Sequence, residues 1–76
     1  KKYAVEALYR IGDVYFWQED FQKSIAAYET ARKKYPTHVD FYPNAAYNIA
    51  ESQFWLKNYR ASLDSYIDFL KTHPTH

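Results

Sequence analysis

Apolar side chains recur three and four positions apart along the chain. Ala4, Leu8, Ile11 and Tyr15 share one face of a helix, the stripe expected to meet a core, and Phe21, Ser24, Ile25, Tyr28 and Ala31 share one face of the next. Short turns interrupt the pattern at Gln18-Glu19-Asp20 and again at Leu56-Lys57-Asn58, and Asp20 and Asn58 stand where a side-chain oxygen caps a following helix. Pro36 and Pro74 stop the helices before them, because proline lacks an N–H and crowds the preceding turn. The pattern predicts helices over 2–18, 21–34, 42–56 and 59–72, with Asp40 capping the third and Pro43 in its first turn. Turns this short make the paired helices antiparallel.

The second half repeats the first. Residues 1–38 laid over 39–76 without a gap match identically at Ala7/Ala45, Tyr9/Tyr47, Ile11/Ile49, Phe16/Phe54, Trp17/Trp55, Ser24/Ser62, Tyr28/Tyr66, Lys33/Lys71, Pro36/Pro74, Thr37/Thr75 and His38/His76. Gly12/Ala50, Asp13/Glu51, Asp20/Asn58, Phe21/Tyr59 and Ile25/Leu63 are conservative pairs. The chain is one domain over 1–76 made of one unit written twice, 1–38 and 39–76, with a period in the range of helical repeat arrays.

Leu8, Ile11, Gly12, Tyr15, Ser24, Tyr28, Ala31 and Pro36 occupy the spacing of the tetratricopeptide signature, and the first unit resembles that family closely. The second unit keeps Ile49, Ala50, Ser62, Tyr66 and Pro74 but departs at Ala46, Gln53 and Phe69. The resemblance implies an all-α fold of tandem antiparallel helix–turn–helix repeats, four helices forming a segment of a right-handed solenoid. Gly12 and Ser24 are expected to let the first two helices approach closely.

The period of 38 exceeds the family's usual value of about 34 residues. The extra residues, Val39-Asp40-Phe41-Tyr42, are expected to lengthen the third helix by a turn. Extended units of this kind are similar to those in tetratricopeptide proteins of bacterial cell envelopes, which points to a bacterial origin and leaves periplasm and cytoplasm both open. The chain begins at Lys1 inside a helical pattern, as a segment of a longer protein would.

The family resemblance also implies a concave groove that takes peptides or partner helices. Here it would be lined by Glu6, Tyr9, Asp13, Phe16 and Trp17 from the first unit and Asn44, Tyr47, Glu51, Phe54 and Trp55 from the second. Tyr9, Asp13 and Phe16 lie at i, i+4 and i+7, as do Tyr47, Glu51 and Phe54, so each first helix carries a stripe beside its core stripe. Aromatic groups are enriched among binding hot spots. The carboxylates at Asp13 and Glu51 stand where the carboxylate clamps of some family members carry Asn, so the expected partner is a protein or peptide with apolar and positively charged side chains.

Composition narrows the alternatives. Sixteen of 76 residues are aromatic, with one Gly and no Cys, which removes phosphate-binding glycine loops, thiol chemistry and disulfides. Ten basic side chains balance nine acidic ones, and the only basic cluster, Arg32-Lys33-Lys34, ends a helix and offsets its dipole, so nucleic acid is not expected. No stretch is apolar enough to span a bilayer. His38, His73 and His76 lack the nearby third ligand that a metal site needs, and no catalytic group converges with another, so neither an enzyme nor a cofactor is expected. A rival role is structural self-assembly. Two repeats are fewer than the roughly three that make a stable solenoid, and Ile67, Phe69 and Leu70 are expected to lie on a last helix that could bind another copy.

Overall fold

The computed structural model describes residues 2–37 and 42–73. Four helices follow one another, α1 (Lys2–Trp17), α2 (Phe21–Lys34), α3 (Pro43–Trp55) and α4 (Tyr59–Thr72), each within a residue of its predicted limits. α1 packs on α2 and α3 on α4 as two hairpins, and α3 also lies against α1 and α2, so the hairpins stack side by side.

The two hairpin turns share one construction. Glu19 (φ 62°) and Lys57 (φ 68°) adopt left-handed backbone. The N–H of Asp20 reaches back to the Tyr15 carbonyl and that of Glu19 to Phe16, while Asn58 bonds to Gln53 and Lys57 to Phe54. This is the Schellman arrangement, which satisfies the orphan carbonyls at a helix end. Asp20 caps α2 as expected, its side chain accepting from the Lys23 N–H. Asn58 makes no side-chain cap bond; only its carbonyl serves α4, accepting from the Ser62 N–H.

Two interhelical hydrogen bonds recur in each hairpin. Ser24 donates to the Gly12 carbonyl and Ser62 to the Ala50 carbonyl, both at 2.8 Å. The Tyr28 hydroxyl donates to Asp13 and the Tyr66 hydroxyl to Glu51. In the first hairpin the ring of Tyr28 lies directly on Gly12, where an added Cβ would overlap three of its ring carbons. Asn48 of α3 donates to the Tyr28 hydroxyl at 3.0 Å, tying the second hairpin to the first.

The core is built from Val5, Tyr9, Tyr28, Ala31, Ala45 and Ile49. The stripe of α1 that is buried in it is Val5, Tyr9 and Gly12; of the expected Ala4, Leu8, Ile11 and Tyr15, Leu8 packs against this core from its edge. Ala4 and Ile11 are exposed, Leu8 and Tyr15 half-buried. α1 must face both α2 and α3, and the stripe that does so lies beside the one read from spacing.

The extra residues of the second unit do not lengthen α3. That helix starts at Pro43, and Tyr42 before it, at φ −131° and ψ 62°, is its N-cap without a side-chain cap bond. The residue preceding a proline is held out of helical backbone by the pyrrolidine ring. Asp40, expected as the cap, lies outside the described residues, as do Val39, Phe41, His38, Pro74 and His76. Tyr42 is instead pinned by its ring, which stacks on Tyr9 with centroids 4.2 Å apart and planes within 6°.

Two substitutions probe this packing. Gly12→Ala is expected to cost about 1–3 kcal/mol by forcing Tyr28 off α1, read as a lower thermal midpoint. The Tyr9 hydroxyl is buried without a hydrogen-bond partner, so Tyr9→Phe is expected to match the wild type or exceed its stability by about 1 kcal/mol in the same melt.

Candidate partner-binding surface

The residues expected to line a groove separate into three groups. Tyr9 is only 2% exposed, held under Tyr42, and belongs to the core while also lining the recess between α1 and the start of α3. Its phenol is pushed above the ordinary value by burial, against the opposing pull of Arg32. Asp13 and Glu51 are half-buried and serve as acceptors for Tyr28 and Tyr66. Trp17, Tyr47, Phe54 and Trp55 are exposed, Trp17 by 68% and Trp55 by 59%, and Phe16 is half-buried.

Two recesses meet at Trp17. One, of about 290 Å³, lies between α1 and the start of α3 and brings Glu6, Asp13, Trp17 and Asn44 together with Arg10 and Tyr42. Arg10 pairs with Glu6 at 3.5 Å, leaving Asp13 as the carboxylate without a cation in it. The other, of about 350 Å³, lies around the first turn and is lined by Phe16, Trp17, Glu19, Phe21 and Trp55. Phe16 meets Phe21 edge-on at 5.9 Å, and Trp55 lies nearly parallel to Phe21 at 6.4 Å. Phe54 continues the aromatic surface, edge-on to Trp55 and to Tyr59. Tyr47 stands apart, against Tyr66 and Phe69, with its phenol raised first by the neighbouring charge of Glu51.

Glu19, Phe21 and Tyr42 were not foreseen as lining residues. Spacing puts Phe21 on a core stripe and Tyr42 in a helix that begins one residue later, at Pro43. Glu19 was treated only as part of a turn, although its replacement by Lys57 in the second unit is visible in the sequence.

The residues expected to mediate self-association also divide. Ile67 and Leu70 are exposed and Leu63 joins them, but Phe69 is buried at 4% beside Tyr47 and His73. Phe69 takes the position of Ala31 in the first unit, where the space between paired helices is closed, so it belongs to the packing of α4 on α3.

Burial, and then the bonds to Asp13 and Glu51, raise the phenols of Tyr28 and Tyr66 well above their usual value. The folded chain therefore holds these protons more tightly than the unfolded chain does. The resulting stability is whole below the unfolded tyrosine value of about 10 and is lost as pH rises beyond it. Denaturant melts at stepped pH are expected to be level from pH 7 to about 9.5 and to fall above about 10. The fall should be shallower in the variant carrying both Tyr28→Phe and Tyr66→Phe.

Among the described residues no helix is long and apolar enough to cross a membrane. Models described as tetratricopeptide repeat match residues 5–38 and residues 44–76. No curated protein and no solved structure matches the chain. Repeats of this kind generally mediate protein–protein interaction and are generally not catalytic. With two tandem matches and four helices stacked as two hairpins, the chain belongs to the tetratricopeptide repeat family.

Proposed function

We propose that this chain is a non-catalytic scaffold that holds a protein partner, as a helix or an extended segment, along the surface that runs from the Asp13 recess past Trp17 to Trp55. The observation that carries this reading is the double role of Trp17: it is the wall common to two adjoining recesses, and most of its surface is open to solvent. An indole left in that position presents a large, rigid contact area at small entropic cost. The carboxylates of Asp13 and Glu19 on either side give the surface a mildly acidic character, which favours a partner with apolar and positively charged side chains.

A second reading is supported by a difference between the repeats. On α3 the face made by Ala45, Ile49 and Ser52 is buried against the first hairpin, and on α1 the equivalent Ala7, Ile11 and Val14 are exposed, Ile11 and Val14 by 45% each. On α4, Leu63, Ile67 and Leu70 are likewise open. Stacking α4 of one copy on α1 of another would repeat the contact between α2 and α3, giving a head-to-tail assembly.

A panel of helical and extended peptides, apolar with basic or with acidic residues, tests the first reading by fluorescence titration. The basic members are expected to bind, and Trp17→Ala to weaken them by about tenfold or more; a Trp17→Ala variant that binds as the wild type does would sink it. Light scattering over a concentration series tests the second. A mass that stays at 9.1 kDa throughout rejects it, whereas a mass that rises with concentration and returns to the monomer in Leu70→Glu supports it.

A further inference from the structure

The recess around the first turn has a chemistry of its own. Four of its five walls are aromatic, Phe16, Trp17, Phe21 and Trp55, and the fifth is the carboxylate side chain of Glu19. Phe21 and Trp55 are stacked, their planes 15° apart and their centroids 6.4 Å apart, and Phe16 stands at 68° to Phe21 with its centroid 5.9 Å away. Trp55 comes from the second hairpin, so the recess exists only where the two repeats meet.

Aromatic faces carry negative potential and attract cations, and a weakly hydrated cation gains most from leaving water for such a site. The molecule already uses the interaction once, with the Lys23 ammonium 5.8 Å from the Tyr15 ring centroid. Glu19 adds full charge to the wall of the recess. Of the ion pairs among the described residues, Glu6 with Arg10 and Asp20 with Lys23, neither involves it. Its position is fixed by the turn, since the left-handed backbone at Glu19 is locked by the bonds from the N–H groups of Glu19 and Asp20.

The second repeat supplies an internal contrast. Phe54, Trp55 and Tyr59 stand where the first repeat has Phe16, Trp17 and Phe21, but Lys57 replaces Glu19 in the same left-handed turn. The aromatic groups are common to both turns, and the acid belongs to the first alone.

We propose that the recess formed by Phe16, Trp17, Glu19, Phe21 and Trp55 is a binding site for an arginine side chain of the protein partner. The guanidinium is planar and stacks on an indole face of the recess, where Trp55 is 59% exposed, and its fork of N–H donors reaches the Glu19 carboxylate. A lysine ammonium is a compact, strongly hydrated point charge that matches neither a flat aromatic face nor the two carboxylate oxygens. The site rests on the partner-binding reading above and names the side chain that the partner presents.

The test uses single side chains, so that it does not depend on finding the partner. Nα-acetyl-arginine amide is titrated into the chain at millimolar concentration while the indole N–H resonances of Trp17 and Trp55 are followed by NMR. Nα-acetyl-citrulline amide, planar and neutral, and Nα-acetyl-lysine amide serve as comparisons. The arginine amide is expected to shift both indoles and to bind about tenfold or more tightly than either comparison. The variant Glu19→Lys with Lys57→Glu keeps the net charge, places lysine in a turn whose twin already holds it, and is expected to lose the arginine response. Citrulline or lysine binding as well as arginine, or a charge-swapped variant that responds like the wild type, would overturn the proposal. A peptide that binds through Trp17 with no preference for arginine would overturn it as well, while leaving the scaffold reading intact.

Discussion

Everything in the first hairpin depends on the ring of Tyr28 resting on a residue without a side chain. Gly12 gives up the helical propensity of alanine, about 1 kcal/mol, and in exchange the ring reaches across α1 until its hydroxyl meets Asp13. From there the same hydroxyl accepts from Asn48, which fixes α3. One close approach thus sets the spacing of α1 and α2, the orientation of a half-buried carboxylate and the seat of the second hairpin. The Ser24 bond to the Gly12 carbonyl holds the same crossing point from the other helix. Tyr66 and Ser62 repeat the two hydrogen bonds in the second hairpin, where Ala50 takes the place of Gly12 and Tyr66 is only half-buried.

The same network decides which polar groups are left for recognition. Asp13 and Glu51 look, by their placement on exposed stripes, like charges held out for a ligand, but each is an acceptor for a buried or half-buried phenol. Their first task is to satisfy hydroxyls that the core would otherwise strand, a need that outweighs the small gain of a solvated contact. Glu19 carries no such duty. It sits on a turn held by backbone bonds and by the Asp20 cap, none of which uses its side chain, and that side chain lines the recess beside Trp17.

The helices and the repeat could be read from the sequence because they rest on spacing and on proline, which act locally. The phase of α1 could not. Val5, Tyr9 and Gly12 have the same three-and-four spacing as Leu8, Ile11 and Tyr15, and a helix apolar on several faces does not declare which one will meet two neighbours at once. The burial of Tyr9 is hidden from the sequence for a related reason. The ring that covers it, Tyr42, comes from the four extra residues of the second unit, and only the proline that follows keeps that tyrosine out of α3 and free to stack. Phe69 was misread because its neighbours Ile67 and Leu70 are exposed, and a helix position one residue on, 100° around the axis, need not share their fate. Of the candidate site, the exposed aromatic groups were legible, and the recess was not, because its walls come from four separate elements.

The two turns share a backbone and differ in charge. A left-handed residue at a helix end is tolerated in either turn because the Schellman bonds impose it, so the side chain there is chosen by something other than the fold. If conformation alone governed, glycine would be preferred at both positions, since it adopts that backbone without strain. Instead one turn carries an acid beside Trp17 and Trp55 and the other a base beside Phe54 and Tyr59. Under the proposed partner-binding reading, an opposite pair of charges at equivalent sites of a repeat gives the surface a direction, so that a partner bearing a single cation would have one register along the two hairpins and not two.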